Sequence, residues 1–221
     1  MDLTFLGQAD YTLKETFVSK QNKVFLLERA GSLLVCKKYL NDGLLREQQI
    51  LSKLRAAGLA VPQVLEVGED YLLLSYLEGI NLCDFLRQEE AQNREGREVI
   101  EPLWSWLEQF YACLQQGRGD VNLRNFIWDR QKKLLYGVDF TDAKNTDRIT
   151  DWGNILAYAL SYDPVFTTWK FSWVKAAAAF LLEHKEINSQ QLCRAYQRAL
   201  GDLAHRRQLT IPHEVFELLT D

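Results

Sequence analysis

The sequence has few of the residues from which disulfide-rich or zinc-binding proteins are built. Its four cysteines are far apart in the chain and lie in apolar surroundings: Cys36, Cys83, Cys113 and Cys193. They contain no C-x-x-C pair, so they indicate neither a zinc site nor a disulfide framework. The three histidines also lack metal-ligand spacing. We therefore expect free thiols in the reducing cytoplasm.

The sequence also lacks a long hydrophobic run. The apolar run near the alanine-rich segment, Ala176–Leu182, is much shorter than the roughly 20 residues that a membrane-spanning helix needs. The N-terminus has no basic stretch followed by an apolar core, so we expect no signal peptide. These absences predict a cytoplasmic protein without a membrane partner.

An excess of positive charge is missing as well. The formal net charge is −4, which argues against a nucleic-acid partner. The whole acidic excess lies after residue 77, and this favours a neutral or cationic small-molecule partner over a polyanionic one. With 221 residues, the chain is long enough to bury the core of one sizeable domain or of two small lobes.

The most informative part of the chain is Gly117–Asp142, which contains two polar clusters. The clusters are Asp120 with Asn125, and Asp139 with Asp142. Two short apolar runs between them, 126–128 and 134–138, flank a polar turn and predict a β-hairpin. Carboxylate and amide oxygens are ligands that a hard divalent cation takes, with substrate phosphates completing its shell. The stretch is therefore a candidate Mg-nucleotide site.

The order Asp-x-x-x-x-Asn, hairpin, Asp-Phe resembles the catalytic and metal loops of the protein-kinase-like superfamily. The local sequences RGDVNLRNFIWD and GVDFTDA are most similar to the aminoglycoside/choline-type small-molecule phosphotransferases. The resemblance implies that Asp120 is the base that orients the acceptor hydroxyl. It also implies that Asn125 and Asp139 are Mg²⁺ ligands. Arg124 either steadies the transferred phosphoryl group, holds the acceptor, or is a surface arginine.

Three departures from the family pattern keep other functions open. Arg118 replaces the usual histidine, Thr141 replaces a glycine, and the phosphate-covering turn Ser19–Asn22 contains no glycine. In that turn, backbone N–H groups could still face phosphate, although each Cβ hinders a close approach. Lys20 or Asn22 could supply side-chain contacts instead. One alternative is a non-catalytic nucleotide-binding pseudokinase or scaffold. Another is a small atypical protein kinase or ATPase.

The N-terminal lobe contains a candidate phosphate-binding lysine. Two β-rich segments, 23–29 and 32–40, predict a hairpin around Ala30-Gly31. Val35-Cys36-Lys37 resembles the strand ending that presents the lysine in kinase-like proteins. Lys38 follows directly and lies on the opposite face of a strand. The family pattern favours Lys37 as the inward residue.

A predicted helix over 44–55 supplies a possible acid for this lysine. Its apolar residues Leu44, Ile50, Leu51 and Leu54 place Glu47 on the buried stripe. A buried carboxylate needs a cation, and Lys37 is the natural partner. The alternative is that Glu47 lies at the edge of the stripe and reaches water.

A second strand pair, 63–67 with 71–76, leads into a segment that resembles the kinase hinge. The resemblance implies that the Ser75 carbonyl and the Leu77 N–H bind adenine. Gly79 permits a change of direction, and helical pattern replaces strand pattern after it. We therefore predict an N-terminal nucleotide-binding lobe over 1–77 and a C-terminal helical lobe over 78–221.

The predicted helices of the second lobe are 81–94, 101–115, 152–162, 168–184, 189–207 and 212–220. Asp151 either accepts backbone N–H bonds from the catalytic loop, as in the family, or caps its own helix. The expected fold is α+β and bilobal, with a small antiparallel β lobe carrying one helix and a mainly helical C-terminal lobe. The expected activity is ATP- and Mg²⁺-dependent phosphoryl transfer to a hydroxyl of a small molecule.

Overall fold

A computed structural model of the chain describes residues 10–17, 22–140, 146–183 and 187–220. The chain divides into two compact units. The first comprises Met1–Glu78 with Val138–Thr141, and the second comprises Gly79–Gly137 with Asp142–Asp221. The sequence-based division after residue 77 assigned all later residues to one lobe. The structure instead assigns the short segment that carries Asp139 to the first unit.

The first unit is built on a five-stranded antiparallel sheet in the order β1-β2-β3-β5-β4. Its strands are β1 (Thr12–Phe17), β2 (Asn22–Arg29), β3 (Ser32–Tyr39), β4 (Val64–Val67) and β5 (Tyr71–Ser75). The β2–β3 hairpin, with Arg29 opposite Ser32, confirms the predicted turn at Ala30-Gly31. β1 was not predicted, because its side chains are mostly exposed and show no buried alternation.

The two faces of β3 have different roles. Phe25, Cys36 and Leu73 form a buried cross-strand row on one face. Lys37 and Tyr39 are two residues apart and share the other face. Helix α1 (Gly43–Ala56) buries the five residues of the predicted stripe, including Glu47. The prediction that Glu47 is buried, and not at a water-exposed edge, is therefore confirmed.

The second unit contains a three-stranded sheet, β6-β7-β8, and six helices among its described residues. The strands are β6 (Ile80–Asn81), β7 (Phe126–Asp129) and β8 (Leu134–Gly137), and the pairing of β7 with β8 confirms the predicted hairpin. The helices are α2 (Leu82–Ala91), α3 (Ile100–Leu114), α4 (Arg148–Ser161), α5 (Thr168–Glu183), α6 (Ser189–Arg207) and α7 (His213–Phe216). The last helix is shorter than predicted.

Gly79 is the first residue of the second unit and has a φ of +137°. A Cβ at this position would lie 2.6 Å from the Trp128 carbonyl oxygen. The close approach of two backbones therefore requires a residue without a side chain. In the described ranges, no helix combines the length and the apolar character needed to cross a membrane.

The core of the second unit depends on the packing of α4 against α6. α4 is buried over most of its length, including Trp152, Ile155 and Leu156. Gly153 brings the two helices together, because a Cβ there would lie only 2.5 Å from the backbone of Ala195. This helix pair carries the residues that support the loop described below.

We expect Gly153→Ala to destabilise the protein by about 2–3 kcal/mol, because the added methyl overlaps backbone atoms that cannot rotate away. The matched control is Gly201→Ala in α6, where an added Cβ meets nothing within 4 Å. That change should stabilise the helix by about 0.5–1 kcal/mol. Urea denaturation of both variants measures the effect, and equal stabilisation by both would contradict the close helix contact.

Candidate functional site

The first unit contains a lysine held in a buried ion pair. Lys37 Nζ lies 2.6 Å from Glu47 Oε2, and the two residues are 5% and 2% exposed. Burial of two charges is costly unless their geometry is good and other groups complete their hydrogen bonds. The sequence predicted this pair, and the structure brings the two residues together.

Glu47 has two further partners that complete its hydrogen bonds. The Tyr39 hydroxyl donates to Oε2 at 2.7 Å, and the Phe140 backbone N–H donates to Oε1 at 3.1 Å. Burial raises the pKa of Tyr39 above its usual range, and the charge of Glu47 adds to the shift. Sequence reasoning missed Tyr39. Its position two residues after Lys37, on the same strand face, was the available signal.

Asp139 contacts the same lysine. Its Oδ1 lies 2.8 Å from Lys37 Nζ, and its side chain is 46% exposed. Asp139 has a φ of +61°, a conformation that is uncommon for a residue with a Cβ. Burial of the ammonium favours a lower pKa for Lys37, but Glu47 and Asp139 outweigh it and raise the pKa. Lys37 is therefore a fixed cation.

Lys38 has a different environment. Its ammonium lies 2.8 Å from Asp70 Oδ2, and its side chain is 22% exposed. Asp70 lies in the turn before β5, so this pair joins two neighbouring surface segments. Of the two adjacent lysines, Lys37 is therefore the one that faces the buried acid.

The two residues predicted to bind adenine lie at the end of β5. Ser75 donates its backbone N–H to the Gln63 carbonyl, and its hydroxyl accepts from the Gln63 N–H, both at 2.9 Å. Leu77 lies two residues after the end of β5, outside any strand or helix, and is half-buried. Their proposed adenine contacts involve main-chain groups, so the side chains place few constraints on this role.

In the second unit, Asp120 and Asn125 are joined directly. Asn125 Nδ2 donates to Asp120 Oδ2 at 2.9 Å, and the Asn122 N–H donates to Asp120 Oδ1 at 3.2 Å. Both carboxylate oxygens are therefore oriented by the loop itself. A carboxylate only accepts hydrogen bonds, so the amide nitrogen of Asn125 must face it.

Arg118 takes a position inside the fold that explains its presence in this loop. It is 1% exposed, and its guanidinium lies 4.7 Å from the Phe126 ring centre and 5.5 Å from that of Trp106. Its Nε donates to the Asp120 carbonyl at 3.0 Å. Arg118 therefore supports the backbone of Asp120 from the interior of the second unit. The sequence identified Arg118 only as a departure from the family pattern.

Asp151 holds the same loop from α4. It is fully buried, and it accepts from the Arg118 N–H at 2.6 Å and from the Gly119 N–H at 3.0 Å. The hydroxyls of Tyr111 and Thr146 also donate to it. The cap of α4 is instead Asp147, which accepts from the Thr150 N–H. Of the two sequence-based roles for Asp151, the loop-supporting one is confirmed.

Arg124 is exposed and faces α2 and the end of α4. Its guanidinium lies 5.9 Å from the Tyr162 ring centre. A hydrogen bond with the Cys83 thiol is the largest contribution to the raised pKa of Arg124. Thr141, Asp142 and Lys20 lie outside the described residues, so their predicted roles are not addressed by the structure.

The predicted site residues therefore form two groups. Lys37, Glu47 and Asp139 are in contact within the first unit, and Asp120 and Asn125 are in contact within the second. That Asn125 and Asp139 bind one cation stays a prediction. Among the described residues, no three His, Cys, Asp or Glu side chains form a metal-binding cluster. A cation site here would depend on an amide oxygen as well as a carboxylate.

Comparisons with known proteins identify a family and similar folds. The family model of the RIO domain matches residues 18–151, which is more than half of the chain. No curated protein sequence matches the chain.

Among solved structures, a thermostable mutant of an aminoglycoside phosphotransferase, in a ternary complex with ADP and hygromycin B, matches with a TM-score of 0.62 at 14% identity. The match covers 92% of this chain and 88% of that one. A second mutant, bound to AMP-PNP and hygromycin B, gives 0.62 at 15% identity, with coverages of 88% and 87%. A Plasmodium vivax ethanolamine kinase gives 0.54 at 6% identity, with coverages of 95% and 81%. At such low identity, the likeness establishes the kinase-like fold alone.

We expect Asp151→Asn to destabilise the protein by about 3 kcal/mol. The carboxylate of Asp151 accepts from four donors, whereas the asparagine side chain has a single acceptor oxygen. Some of the buried donors would therefore lose their hydrogen-bond partner. Asp147→Asn is the matched control, since it keeps the capping oxygen and should change stability by less than about 0.5 kcal/mol. Chemical denaturation distinguishes the two, and equal losses would show that the loop does not depend on Asp151.

Proposed function

The chain belongs to the RIO-domain family of protein-kinase-like proteins, and we propose that it is an ATP- and Mg²⁺-dependent phosphotransferase. In this proposal the γ-phosphoryl group passes to a hydroxyl of a small molecule. The observation that carries the proposal is the buried Lys37, which contacts Glu47 and Asp139 at 2.6 Å and 2.8 Å. A lysine and two acids in this order match the phosphate-binding parts of kinase-like proteins.

Lys37 would bind the nucleotide phosphates. Three donors surround Glu47, so the carboxylate holds the ammonium in one position before nucleotide arrives. This arrangement supports phosphate binding, because a preorganised cation loses little entropy when the ligand binds. Ser75 and Leu77 would bind adenine through the Ser75 carbonyl and the Leu77 N–H.

The donor set fits a magnesium ion. The half-exposed carboxylate of Asp139 and the amide oxygen of Asn125 are hard oxygen ligands, and Mg²⁺ usually takes one or two protein oxygens together with phosphates and water. The Asn125 nitrogen is directed at Asp120, which leaves the amide oxygen for a cation. When bound, the ion would neutralise charge on the phosphates.

Asp120 would orient the acceptor hydroxyl and accept its proton. Its carboxylate is held by Asn125 and Asn122, and its backbone is supported by Arg118. Phosphoryl transfer depends mainly on positioning and charge stabilisation, so a fixed carboxylate is the main requirement on this side. Arg124 would contribute either to the phosphoryl group or to the acceptor.

A non-catalytic nucleotide-binding protein is the second candidate. Two features of the sequence favour it: the predicted turn Ser19–Asn22 contains no glycine, and Thr141 replaces the family glycine. Arg118 no longer does, because the arginine supports the Asp120 backbone from a buried position. Both candidates bind nucleotide, but only the phosphotransferase transfers its γ-phosphoryl group.

We expect Lys37→Met to weaken ATP binding by about tenfold or more, since a charge-assisted contact to phosphate is lost. Lys38→Met is the matched control and should leave the affinity within about twofold. Calorimetric titration with Mg-ATP measures both. Lys37→Met also removes the cation partner of the buried Glu47, which affects folding as well as binding. The double variant Lys37→Met/Glu47→Gln is therefore measured too, because it has no buried charge at this position. Equal affinities for both single variants would place the phosphates elsewhere.

We expect Asp120→Asn to reduce phosphoryl transfer by about 100-fold or more while ATP affinity stays within about twofold. Asp139→Ala should abolish the Mg²⁺ dependence of ATP binding. ATP consumption is measured with aminoglycosides, amino alcohols, sugars and nucleosides as acceptors. Full turnover by Asp120→Asn would show that another group is the base. ATP binding without turnover on any acceptor would favour the non-catalytic candidate.

A further inference from the structure

A cluster of arginines and tyrosines borders the Asp120 loop within the second unit. We call Arg124, Tyr158, Tyr162, Arg206 and Arg207 the arginine–tyrosine cluster. Arg124 and Arg207 lie 5.9 Å and 5.4 Å from the Tyr162 ring centre. Arg206 and Arg207 both lie 6.0 Å from the Tyr158 ring centre. The loop, the end of α4 and the end of α6 thus meet at two aromatic rings.

Hydrogen bonds connect this cluster to Asp120. The Tyr162 hydroxyl donates to Asn122 Oδ1 at 2.7 Å, and the Asn122 N–H donates to Asp120 Oδ1 at 3.2 Å. Arg206 is also within electrostatic reach of Asp120. A hydrogen bond to Tyr158 raises the pKa of Arg206, and the charges of Asp202 and Asp120 add to the shift. The cluster therefore lies beside the proposed base.

The arginines of this unit differ in whether a carboxylate neutralises them. Arg87, Arg94, Arg130 and Arg148 each form an ion pair with an aspartate or a glutamate. By contrast, Arg124, Arg206 and Arg207 form no ion pair with any carboxylate of the described residues. Asp84 is within electrostatic reach of Arg124, and Asp202 and Asp120 are within reach of Arg206, but none of these acids forms an ion pair with the three guanidinium groups.

A purely structural role accounts for only part of the cluster. Arg207 donates to the Ser161 carbonyl at 2.8 Å and to its hydroxyl at 3.1 Å, so it completes the C-terminal end of α4. Arg206 and Arg207 also lie in the last turn of α6, where cations are favourable. Neither reason applies to Arg124, which comes from the loop. An arginine has five N–H donors, and the exposed Arg124 and Arg206 keep several of theirs for a ligand.

We propose that the arginine–tyrosine cluster is the acceptor subsite and that the acceptor is an anionic small molecule, with a carboxylate or phosphate group beside its reacting hydroxyl. Arg124 and Arg206 bind the anionic group, and Tyr158 and Tyr162 form the floor on which their guanidinium groups lie. This inference rests on the proposed phosphotransferase function. It assigns Arg124 to the acceptor, and it reverses the expectation of a neutral or cationic acceptor.

The reversal has a physical reason. The acidic excess of the second unit is a sum over the whole unit, and many of its acids are already paired with nearby arginines or lysines. Paired charges contribute little to the field at a distance, particularly in salt. The field at the acceptor side therefore depends on the unpaired charges nearest to it and not on the net charge of the unit.

A binding experiment tests the subsite without nucleotide or turnover. Inorganic phosphate is titrated into the full chain, and the arginine Nε–Hε signals are followed by NMR. Arg124→Gln and Arg206→Gln assign the two signals by their disappearance. We expect both signals to shift with a common affinity, which each variant weakens by about tenfold. Arg194, exposed on the same helix, is the matched control and should not shift.

A turnover experiment tests the acceptor class. ATP consumption is compared for anionic hydroxyl compounds (sugar phosphates and hydroxy acids), neutral sugars and cationic aminoglycosides. We expect the highest kcat/KM with an anionic compound. Arg124→Gln/Arg206→Gln should raise its KM about tenfold without changing ATP affinity, and Arg194→Gln should change neither.

Several outcomes would overturn the subsite. In the phosphate titration, these are equal shifts of all arginine signals or no shift of the Arg124 and Arg206 signals. In the turnover assay, they are turnover of cationic acceptors alone, or turnover of an acidic peptide but of no small anion. If no acceptor is turned over, the proposed function fails, and the phosphate titration alone decides whether the anion site exists. Phosphate binding with neither ATP binding nor turnover would therefore retain the site and reject the kinase activity.

Discussion

A buried carboxylate that must be surrounded by donors is the constraint on which the first unit depends. Glu47 lies on the inner face of α1, and Lys37, Tyr39 and the Phe140 N–H satisfy its two oxygens. A charge in this position is tolerable only when every partner is present, because an unpaired buried ion costs several kcal/mol. The helix, the strand that carries Lys37 and the segment of Asp139 are therefore fixed by one group. The contacts that stability requires are therefore the same ones that hold Lys37 in the position proposed for phosphate binding.

The second unit also contains a buried carboxylate that is surrounded by donors, but this carboxylate has a different role. Asp151 is also fully buried, but its donors are two backbone N–H groups and two hydroxyls, with no cation among them. Burial raises the pKa of Asp151, and the four hydrogen bonds act against that shift. The result is a rigid backbone at Arg118 and Gly119 instead of a fixed ammonium. Each unit thus positions its polar group through one buried acid, and each acid is supplied by a helix that packs on its own core.

The sequence predicted what depends on periodicity and short spacing. The stripe of α1, the two hairpins and the pairing of Lys37 with Glu47 follow from residues close together in the chain. Tyr39 was missed because an aromatic residue at a strand end is usually part of the core, and its hydroxyl partner cannot be read from pattern. Arg118 seemed only a substitution, because the rings of Trp106 and Phe126 that accommodate it come from separate elements. Asp139 was predicted to be a metal ligand. Its positive φ was not predicted, because the segment that carries it is held by contacts with α1 and β3.

The position of Arg206 and Arg207 beside the Asp120 loop could not be predicted from the sequence. They lie more than eighty residues after Asp120, and in sequence they are an ordinary basic helix end. The packing of α6 on α4 brings them to Tyr158 and Tyr162, and Tyr162 connects them to the loop. Composition assigned this half of the chain an acidic character, yet that sum does not say where the acids lie, and several of them are paired elsewhere. The chemistry of an acceptor site is decided by which charges remain unpaired at its surface, and that is a property of the fold.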